Sequence, residues 1–196
     1  MQKIEISDCI CHSKIKNHLE IRDKILSEID KCTDDYLQAD NSYYTDSISK
    51  LDWNNASDPE RPWAKLFLAE FGEDIKEIIS SMCYNRINLR SVWYQQYLEG
   101  DTHGWHIHGE QFTGVYYLEF PKGCSKTEIC SPFNLKKYQI DADEGDFIVF
   151  PAHYIHRGLP NNKIRKTIVS FNFNIITNTE DGLHPLNLNL LNNEAF

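Results

Sequence analysis

The feature that most constrains the fold is a succession of short, strand-like segments in the second half of the chain. Each is rich in β-branched or aromatic residues, and turn-forming Gly, Pro, Asn and Asp residues separate one from the next. The segments are INLRSVWYQQYL (87–98), FTGVYYLEF (112–120), KKYQI (136–140), DFIVF (146–150) and RKTIVSFNFNII (165–176). Short strands in this arrangement are typical of an antiparallel sandwich or barrel.

The first half of the chain has a helical pattern instead. Between residues 12 and 32, apolar residues recur at helical spacing with charges between them, which predicts an amphipathic helix. These apolar residues are Ile15, Leu19, Ile21, Ile25 and Ile29. A second helix is predicted to start near Pro62 and to run to Cys83, with Gly72 as a candidate break.

Residues 34–60 are polar and predict a long, irregular connection. Trp53, Trp63, Tyr43 and Tyr44, in or next to this stretch, are candidates to cover the mouth of the barrel. A chain of 196 residues is long enough for one sizeable core. We therefore expect one α+β, mainly β domain: supporting helices and loops over about 1–84, the β core over about 85–178 and a C-terminal tail over 179–196.

Charge and composition exclude some classes of function and of cellular location. The formal net charge of −9 argues against sequence-independent binding to nucleic acid, because phosphates need cationic partners. No apolar run is long enough to cross a bilayer, and no secretion signal is evident, so a cytoplasmic protein with reduced thiols is expected. Cys9 and Cys11 are a candidate metal or redox pair. No sequence pattern indicates an oligomeric state.

The histidines are clustered, since five of the eight lie between residues 103 and 156. On a strand, His106 and His108 would project to the same face and offer two nitrogen ligands, suited to Fe, Cu, Ni or Zn. His156, after the strand that ends at Pro151, is the best candidate for a third ligand. His103 and His153 lie nearby in the sequence and are alternative candidates. The remaining histidines, His12, His18 and His184, are expected to be ordinary surface residues.

Four pieces of sequence in this order suggest a family. They are WHIHGEQFTGVYYLEFP, GDFIVFP, HR at 156–157, and RKTIVSFNF. The segment from about 88 to 175 resembles the 2-oxoglutarate/Fe(II)-dependent oxygenases, particularly the prolyl-hydroxylase-like branch and its phage and bacterial members. The resemblance implies a double-stranded β-helix (jelly-roll) core, Fe(II), 2-oxoglutarate as co-substrate, and O2. It also implies hydroxylation of a peptidyl residue, such as proline, or of a small molecule, with release of succinate and CO2.

The resemblance also implies a set of iron ligands. The usual triad of the family is His-x-Asp/Glu followed by a distal His, which leaves open positions for co-substrate and oxygen. In this chain His108 occupies the carboxylate position, giving His106, His108 and His156. A rival register, His108-Gly109-Glu110, would make Glu110 a ligand instead.

The family places a basic residue near the start of the last core strand, where it binds the distal carboxylate of 2-oxoglutarate. Arg165 and Lys166 both qualify by position. Strand parity groups Lys166 with Ser170 and Asn172 on one face. Small polar groups on the cavity face favour Lys166 and make Asn172 a further candidate for binding the co-substrate. Tyr116 resembles the tyrosine that helps to hold the same carboxylate.

Two other classes remain open. Cupins share the jelly roll, and Gly100, His106-x-His108, Gly145, Pro151 and His156 follow their motif spacing. The glutamate that cupins carry after HxH is absent, but a cupin-like three-histidine dioxygenase would need neither that glutamate nor a basic residue at 165 or 166. A non-catalytic jelly-roll binding module would bind no metal.

Overall fold

The computed structural model describes residues 9–32, 35–37, 46–162 and 165–176. Within them the chain is mostly β, with two helices, α1 (His18–Asp30) and α2 (Pro62–Ser81), and a short 3-10 turn at Trp53–Asn55, as predicted for a mainly β, α+β chain. The strands are β1 (Cys11–Lys14), β2 (Asp35–Leu37), β3 (Ile48–Leu51), β4 (Ile87–Tyr97), β5 (His103–His106), β6 (Phe112–Glu119), β7 (Thr127–Cys130), β8 (Lys137–Gln139), β9 (Asp146–Pro151), β10 (Ile155–Gly158) and β11 (Lys166–Ile175).

The strands form two sheets in which all neighbours are antiparallel. The larger sheet has the order β1-β9-β6-β11-β4-β3-β2, and the smaller one has the order β5-β10-β7-β8. The longest pairing joins β11 to β4, from Lys166 opposite Tyr97 to Ile175 opposite Ile87. Two of the segments that were predicted from sequence therefore lie side by side in the middle of the larger sheet.

The larger sheet is buried on both faces. On one face, Phe67 and Phe71 of α2 pack against Tyr116 of β6 and Phe171 of β11. The opposite face packs towards the smaller sheet and its Ile129, with the side chains of Trp93, Tyr97, Val115, Tyr117, Ile148, Phe150 and Ile168. Because successive residues of a strand face opposite sides, burial of both faces requires continuous apolar runs such as VYYL and FIVF.

Two helix predictions are corrected by the structure. The first helix begins at His18 rather than near residue 12, because residues 11–14 form β1 and pair with β9. Leu19, which was expected on the buried face, is 78% exposed, and Leu26 is buried instead. The second helix continues through Gly72, since one buried stripe runs along its whole length.

The stretch 34–60, predicted to be irregular, contains strands in its described part. β3 pairs with β4 and β2 pairs with β3, so both extend the larger sheet. Trp63, expected at the mouth of the barrel, is fully buried, and its Nε1 donates to Asp52 Oδ2 at 2.9 Å. Tyr43, Tyr44, His184 and the tail from 179 lie outside the described residues.

Neither α1 nor α2 is long and apolar enough to cross a membrane, and they are the long helices of the described residues. The six cysteines are free thiols, of which Cys9 is exposed and Cys11 is half-buried.

Candidate metal centre

A cavity lies between the two sheets. The larger sheet contributes inner-face side chains of β4, β6 and β11, and the smaller sheet contributes residues of β5, β7 and β10. The lining residues are Trp93, Gln95, Tyr97, His103, His106, His108, Thr113, Val115, Tyr117, Thr127, His156, Arg157, Gly158, Lys166, Ile168 and Ser170.

Three histidines converge at this cavity. His106 and His156 are register partners on β5 and β10, and His108 follows two residues after the end of β5. One ring nitrogen from each lies within 4.8 Å of the other two, and the Nε2 atoms of His108 and His156 are 3.2 Å apart. In the part of the chain that the structure describes, this is the one group of three or more His, Cys, Asp or Glu side chains so arranged.

Backbone carbonyls orient two of the three rings. The Nδ1 of His106 lies 2.8 Å from the Gly104 carbonyl oxygen, and the Nδ1 of His156 lies 2.9 Å from the Tyr154 carbonyl oxygen. A carbonyl oxygen only accepts, so both Nδ1 atoms must carry the proton. The Nε2 lone pairs of His106 and His156 are therefore free for a metal, and the carbonyls hold the rings in place as in known histidine–metal sites.

Burial keeps these imidazoles neutral. It lowers the pKa of His108 to about 4, with the neighbouring His106 as a smaller cause. Burial also lowers the pKa of His106, and it lowers the pKa of His156 well below its usual value. Only neutral imidazole can bind a metal, so the site is in its ligand-competent protonation state at neutral pH.

Glu110, the alternative ligand, is directed elsewhere. Its Oε2 accepts from Asn172 Nδ2 at 3.1 Å, and the same amide nitrogen lies 3.4 Å from His108 Nδ1. Glu110 is outside the three-histidine group. Asn172, which was predicted to bind the co-substrate, thus lies behind His108 and links that ring to Glu110.

The two basic candidates on the last strand have different surroundings. Lys166 lines the cavity, is 3% exposed, and has its Nζ 3.1 Å from the Ser125 carbonyl oxygen and 4.3 Å from the centre of the Tyr97 ring. Arg165 points out of the cavity and donates to Glu119, at 2.8 Å from Nε. Arg165 is therefore held in an ion pair and is not among the residues that line the cavity.

Burial lowers the pKa of Lys166 to about 8. The ammonium group is thus still charged at neutral pH, and among the described residues no carboxylate lies within ion-pair distance of it. A buried cation of this kind is costly unless an anion joins it. Lys166 thus places a positive charge without a described carboxylate partner in the cavity that the three histidines line.

Tyr116 does not line the cavity, contrary to expectation. Its side chain faces the helices, and its hydroxyl lies 2.6 Å from His18 Nδ1. Tyr117, the next residue, faces the cavity, and its hydroxyl donates to Thr127 at 2.9 Å. His18, predicted to be a surface residue, is buried because it supplies this partner for Tyr116.

Sequence reasoning placed His103 near the candidate ligands but missed Trp93. His103 stacks on His106 with ring centroids 3.8 Å apart, and Trp93 lies 5.6 Å from the His108 ring. Trp53, a predicted mouth residue, packs edge-on against Trp93 at 4.7 Å. Strand parity would have placed Trp93, Gln95 and Tyr97 on one face, and these three residues of β4 line the cavity.

Comparison with known proteins gives a match by structure only. No model of a known protein family matches the sequence, and no curated protein is similar to it. A 2OG-Fe(II) oxygenase family oxidoreductase from Burkholderia pseudomallei matches with a TM-score of 0.63 and 11% identity, over 84% of each chain. A prolyl hydroxylase from Trichoplax adhaerens, in complex with a hypoxia inducible factor peptide, matches with a TM-score of 0.61 and 17% identity, over 85% of this chain and 84% of that one.

A third similar structure is that of an epimerase rather than a hydroxylase. The non-heme alpha ketoglutarate dependent epimerase SnoN from nogalamycin biosynthesis matches with a TM-score of 0.69 and 11% identity, over 96% of this chain and 92% of the other. All three share one architecture. The chain therefore has the fold of the 2OG-Fe(II) oxygenases, and the resemblance found in the sequence is confirmed at the level of fold.

Proposed function

We propose that this chain is an Fe(II)- and 2-oxoglutarate-dependent dioxygenase with a double-stranded β-helix core. Its substrate would be a peptidyl residue, with proline as the first candidate, or a small molecule, and succinate and CO2 would be released. One observation carries the proposal: three convergent histidines and an uncompensated buried lysine share one cavity. A prolyl hydroxylase in complex with a peptide is among the similar structures, which supports a peptide substrate.

The donor set fits Fe(II). His106, His108 and His156 would hold the metal by imidazole nitrogens, and imidazole is a ligand that iron accepts. Bound iron, with 2-oxoglutarate and O2, would supply the oxidising chemistry. The protein's part is to fix the metal ligands, which the Gly104 and Tyr154 carbonyls do for two of the rings.

The rest of the cavity would position the co-substrate. Lys166 Nζ, held by the Ser125 carbonyl, would bind a carboxylate through a charge-assisted hydrogen bond. The side chains of Tyr97 and Ile168 surround it and limit access of water. In this environment the ion pair would be stronger than on the surface.

One observation favours a second candidate. The ligand group contains three histidines and no carboxylate, as in a cupin-like three-histidine dioxygenase that does not use 2-oxoglutarate. Such an enzyme has no use for a buried cation at position 166. The role of Lys166 therefore separates the two functions.

The test is an anaerobic titration of the metal-free protein with Fe(II) and then with 2-oxoglutarate, followed by visible absorption. We expect a metal-to-ligand charge-transfer band that requires both additions. His108→Ala should weaken Fe(II) binding, whereas Lys166→Met should keep Fe(II) binding and raise the 2-oxoglutarate concentration needed for the band. Lys122→Met, at an exposed position, is the matched control and should behave as wild type.

Each alternative has its own outcome. Iron binding without a response to 2-oxoglutarate would favour the cupin-like enzyme. Absence of iron binding would leave a jelly-roll binding module. A normal band in Lys166→Met would remove Lys166 from the co-substrate site.

A further inference from the structure

Exposed apolar side chains are concentrated on and around the smaller sheet. Eight large hydrophobic side chains are exposed among the described residues, and five of them lie between residues 105 and 138. These five are Trp105, Ile107, Phe133, Leu135 and Tyr138. Clustered exposure of this kind marks an interaction surface more often than scattered single residues do.

Cations accompany these aromatic rings. The Arg157 guanidinium lies 4.3 Å from the Trp105 ring centre, and Lys137 Nζ lies 5.4 Å from the same ring. Lys136 Nζ lies 4.9 Å from the Tyr138 ring centre. We call Trp105, Phe133, Lys136, Lys137, Tyr138 and Arg157 the outer surface, which continues around the edge of β8 because Lys137 and Tyr138 project to opposite sides of that strand.

The outer surface carries excess positive charge. Glu128 neutralises Arg157, with contacts of 2.7 Å from Nε and 2.6 Å from Nη2. Lys136 and Lys137 are exposed, and within the described residues no carboxylate lies within 4.0 Å of either ammonium group. The chain as a whole has a net charge of −9, so the outer surface is a positively charged region on a negatively charged protein. An acidic partner is therefore complementary here, although the whole chain would repel it.

The outer surface is continuous with the candidate metal centre. Trp105 immediately precedes His106, and Arg157 immediately follows His156. Arg157 also lines the cavity, so one residue belongs to both. Phe133 lies 6.4 Å from the ring of Tyr154, whose carbonyl orients His156.

The edge of the smaller sheet suits an extended chain. β8 is the last strand in the sheet order and pairs on one side with β7. All three of its residues are exposed. An extended peptide can add to such an edge through its backbone while neighbouring side chains select its sequence.

We propose that the outer surface and the β8 edge bind an acidic, extended segment of a peptide substrate. This inference rests on the proposed function, because it assigns the class of substrate to the same site. Lys136 and Lys137 attract the acidic side chains, and the aromatic rings contact the apolar ones. Specificity for an acidic peptide thus comes from the smaller sheet rather than from the cavity.

The experiment measures binding of a short fluorescein-labelled peptide, rich in Glu around one Pro, by fluorescence anisotropy. We expect Lys136→Glu/Lys137→Glu to weaken this binding about tenfold or more, and added salt to reduce the difference. Lys24→Glu/Lys31→Glu, in and directly after α1, makes the same change of charge elsewhere and should have little effect. A peptide with Gln in place of Glu should bind weakly to all three proteins.

The outcomes separate this proposal from the proposed function. The Fe(II)–2-oxoglutarate band, recorded for the same proteins, should be unchanged by either double substitution. A wild-type protein that forms the band but binds both peptides equally would overturn the acidic-peptide proposal alone. Acidic-peptide binding that depends on Lys136 and Lys137, in a protein without the band, would overturn the oxygenase and retain the surface. Tighter binding of a single-stranded oligonucleotide of the same charge would replace the peptide with nucleic acid.

Discussion

At the scale of single residues, Asn172 is a buried side chain that contacts the candidate ligand His108 without being a ligand itself. It is fully buried, and its Nδ2 lies between Glu110 Oε2 and His108 Nδ1. Its Oδ1 is buried and has no hydrogen-bond partner among the described residues. At its Nδ1, His108 faces the Asn172 side-chain amide rather than a backbone carbonyl, so this amide helps to orient the ring together with Trp93.

Asn172→Ala should therefore loosen His108 and weaken metal binding. Removal of a group that orients a ligand typically costs about 10–100-fold in metal affinity. Competition between the protein and a chelator for Fe(II) or Co(II) would measure the change without any need for turnover.

Asn174→Ala is the matched control for this prediction. Asn174 lies two residues further along β11, and its Oδ1 accepts from the Gln111 backbone nitrogen rather than from a histidine. We expect near-normal metal affinity in this variant. Equal losses in both variants would mean that Asn172 acts on the stability of the strand and not on His108.

The alternation of side chains along a strand predicted some of the cavity residues from sequence and not others. Lys166 was preferred over Arg165 because β11 has small polar residues on one side, and the structure has Lys166 in the cavity and Arg165 outside it. The same reasoning could not decide between Tyr116 and Tyr117, because the two neighbouring residues are identical in size and chemistry. Which tyrosine faces the cavity depends on packing against Phe71 of α2, and a single sequence does not contain that contact.

Between elements, β6 and β11 pack most closely at Gly114. This residue is the register partner of Phe171, whose ring lies over it. A Cβ at position 114 would lie 2.2 Å from Phe171 Cζ and 2.6 Å from each Cε atom. The Phe171 ring is fully buried, with its centroid 6.2 Å from that of Phe67 in α2.

Gly114→Ala should destabilise the protein by about 1–3 kcal/mol, as expected for overpacking of a filled core. The free energy of unfolding in urea would measure this change. Gly109→Ala is a suitable control, because a Cβ there meets no atom within 4 Å. Equal stability of the two variants would show that the ring can be displaced at little cost.

Long elements were predicted more accurately than short ones. α2, β4 and β11 have many apolar residues at regular spacing, and their patterns are unambiguous. β1 and β3 have four residues each and were taken for parts of a helix and of a loop. Each is stabilised by a partner strand far along the chain, β9 for β1 and β4 for β3, so local pattern carries little information about them.

Across the whole molecule, His18 joins the helical layer to the larger sheet. From the start of α1 its Nδ1 accepts from the Tyr116 hydroxyl, and its Nε2 lies 3.5 Å from Glu144 Oε1. Glu144 also accepts from Arg22 of α1 and from the Phe120 backbone nitrogen. Burial lowers the pKa of His18 below its usual value of 6.5, although Glu144 opposes this.

A lowered pKa makes the contribution of His18 to stability dependent on pH. The unfolded chain takes up this proton near pH 6.5 and the folded chain takes it up at lower pH. The stabilisation is thus complete above about pH 6.5 and is lost as the pH falls towards the folded pKa. His18→Gln cannot titrate, so the stability advantage of the wild type should shrink as the pH is lowered.

Urea unfolding at a series of pH values would test this. The difference between wild type and His18→Gln is the informative quantity, because it cancels the contributions of the cavity histidines. A difference that stays constant from pH 8 to pH 5, about the range over which histidine titrates, would contradict the prediction.

The pairing of β1 with β9 also bears on how the protein avoids self-association. β9 is almost entirely apolar and buried, and its outer edge is covered by four residues, Cys11–Lys14. An uncovered strand of this composition would present free backbone groups to other molecules and invite edge-to-edge aggregation. β1, short and alternately exposed with His12 and Lys14 beside Asp146, replaces that edge with a charged one. The first described strand thus shields the edge of a buried strand that lies far along the chain.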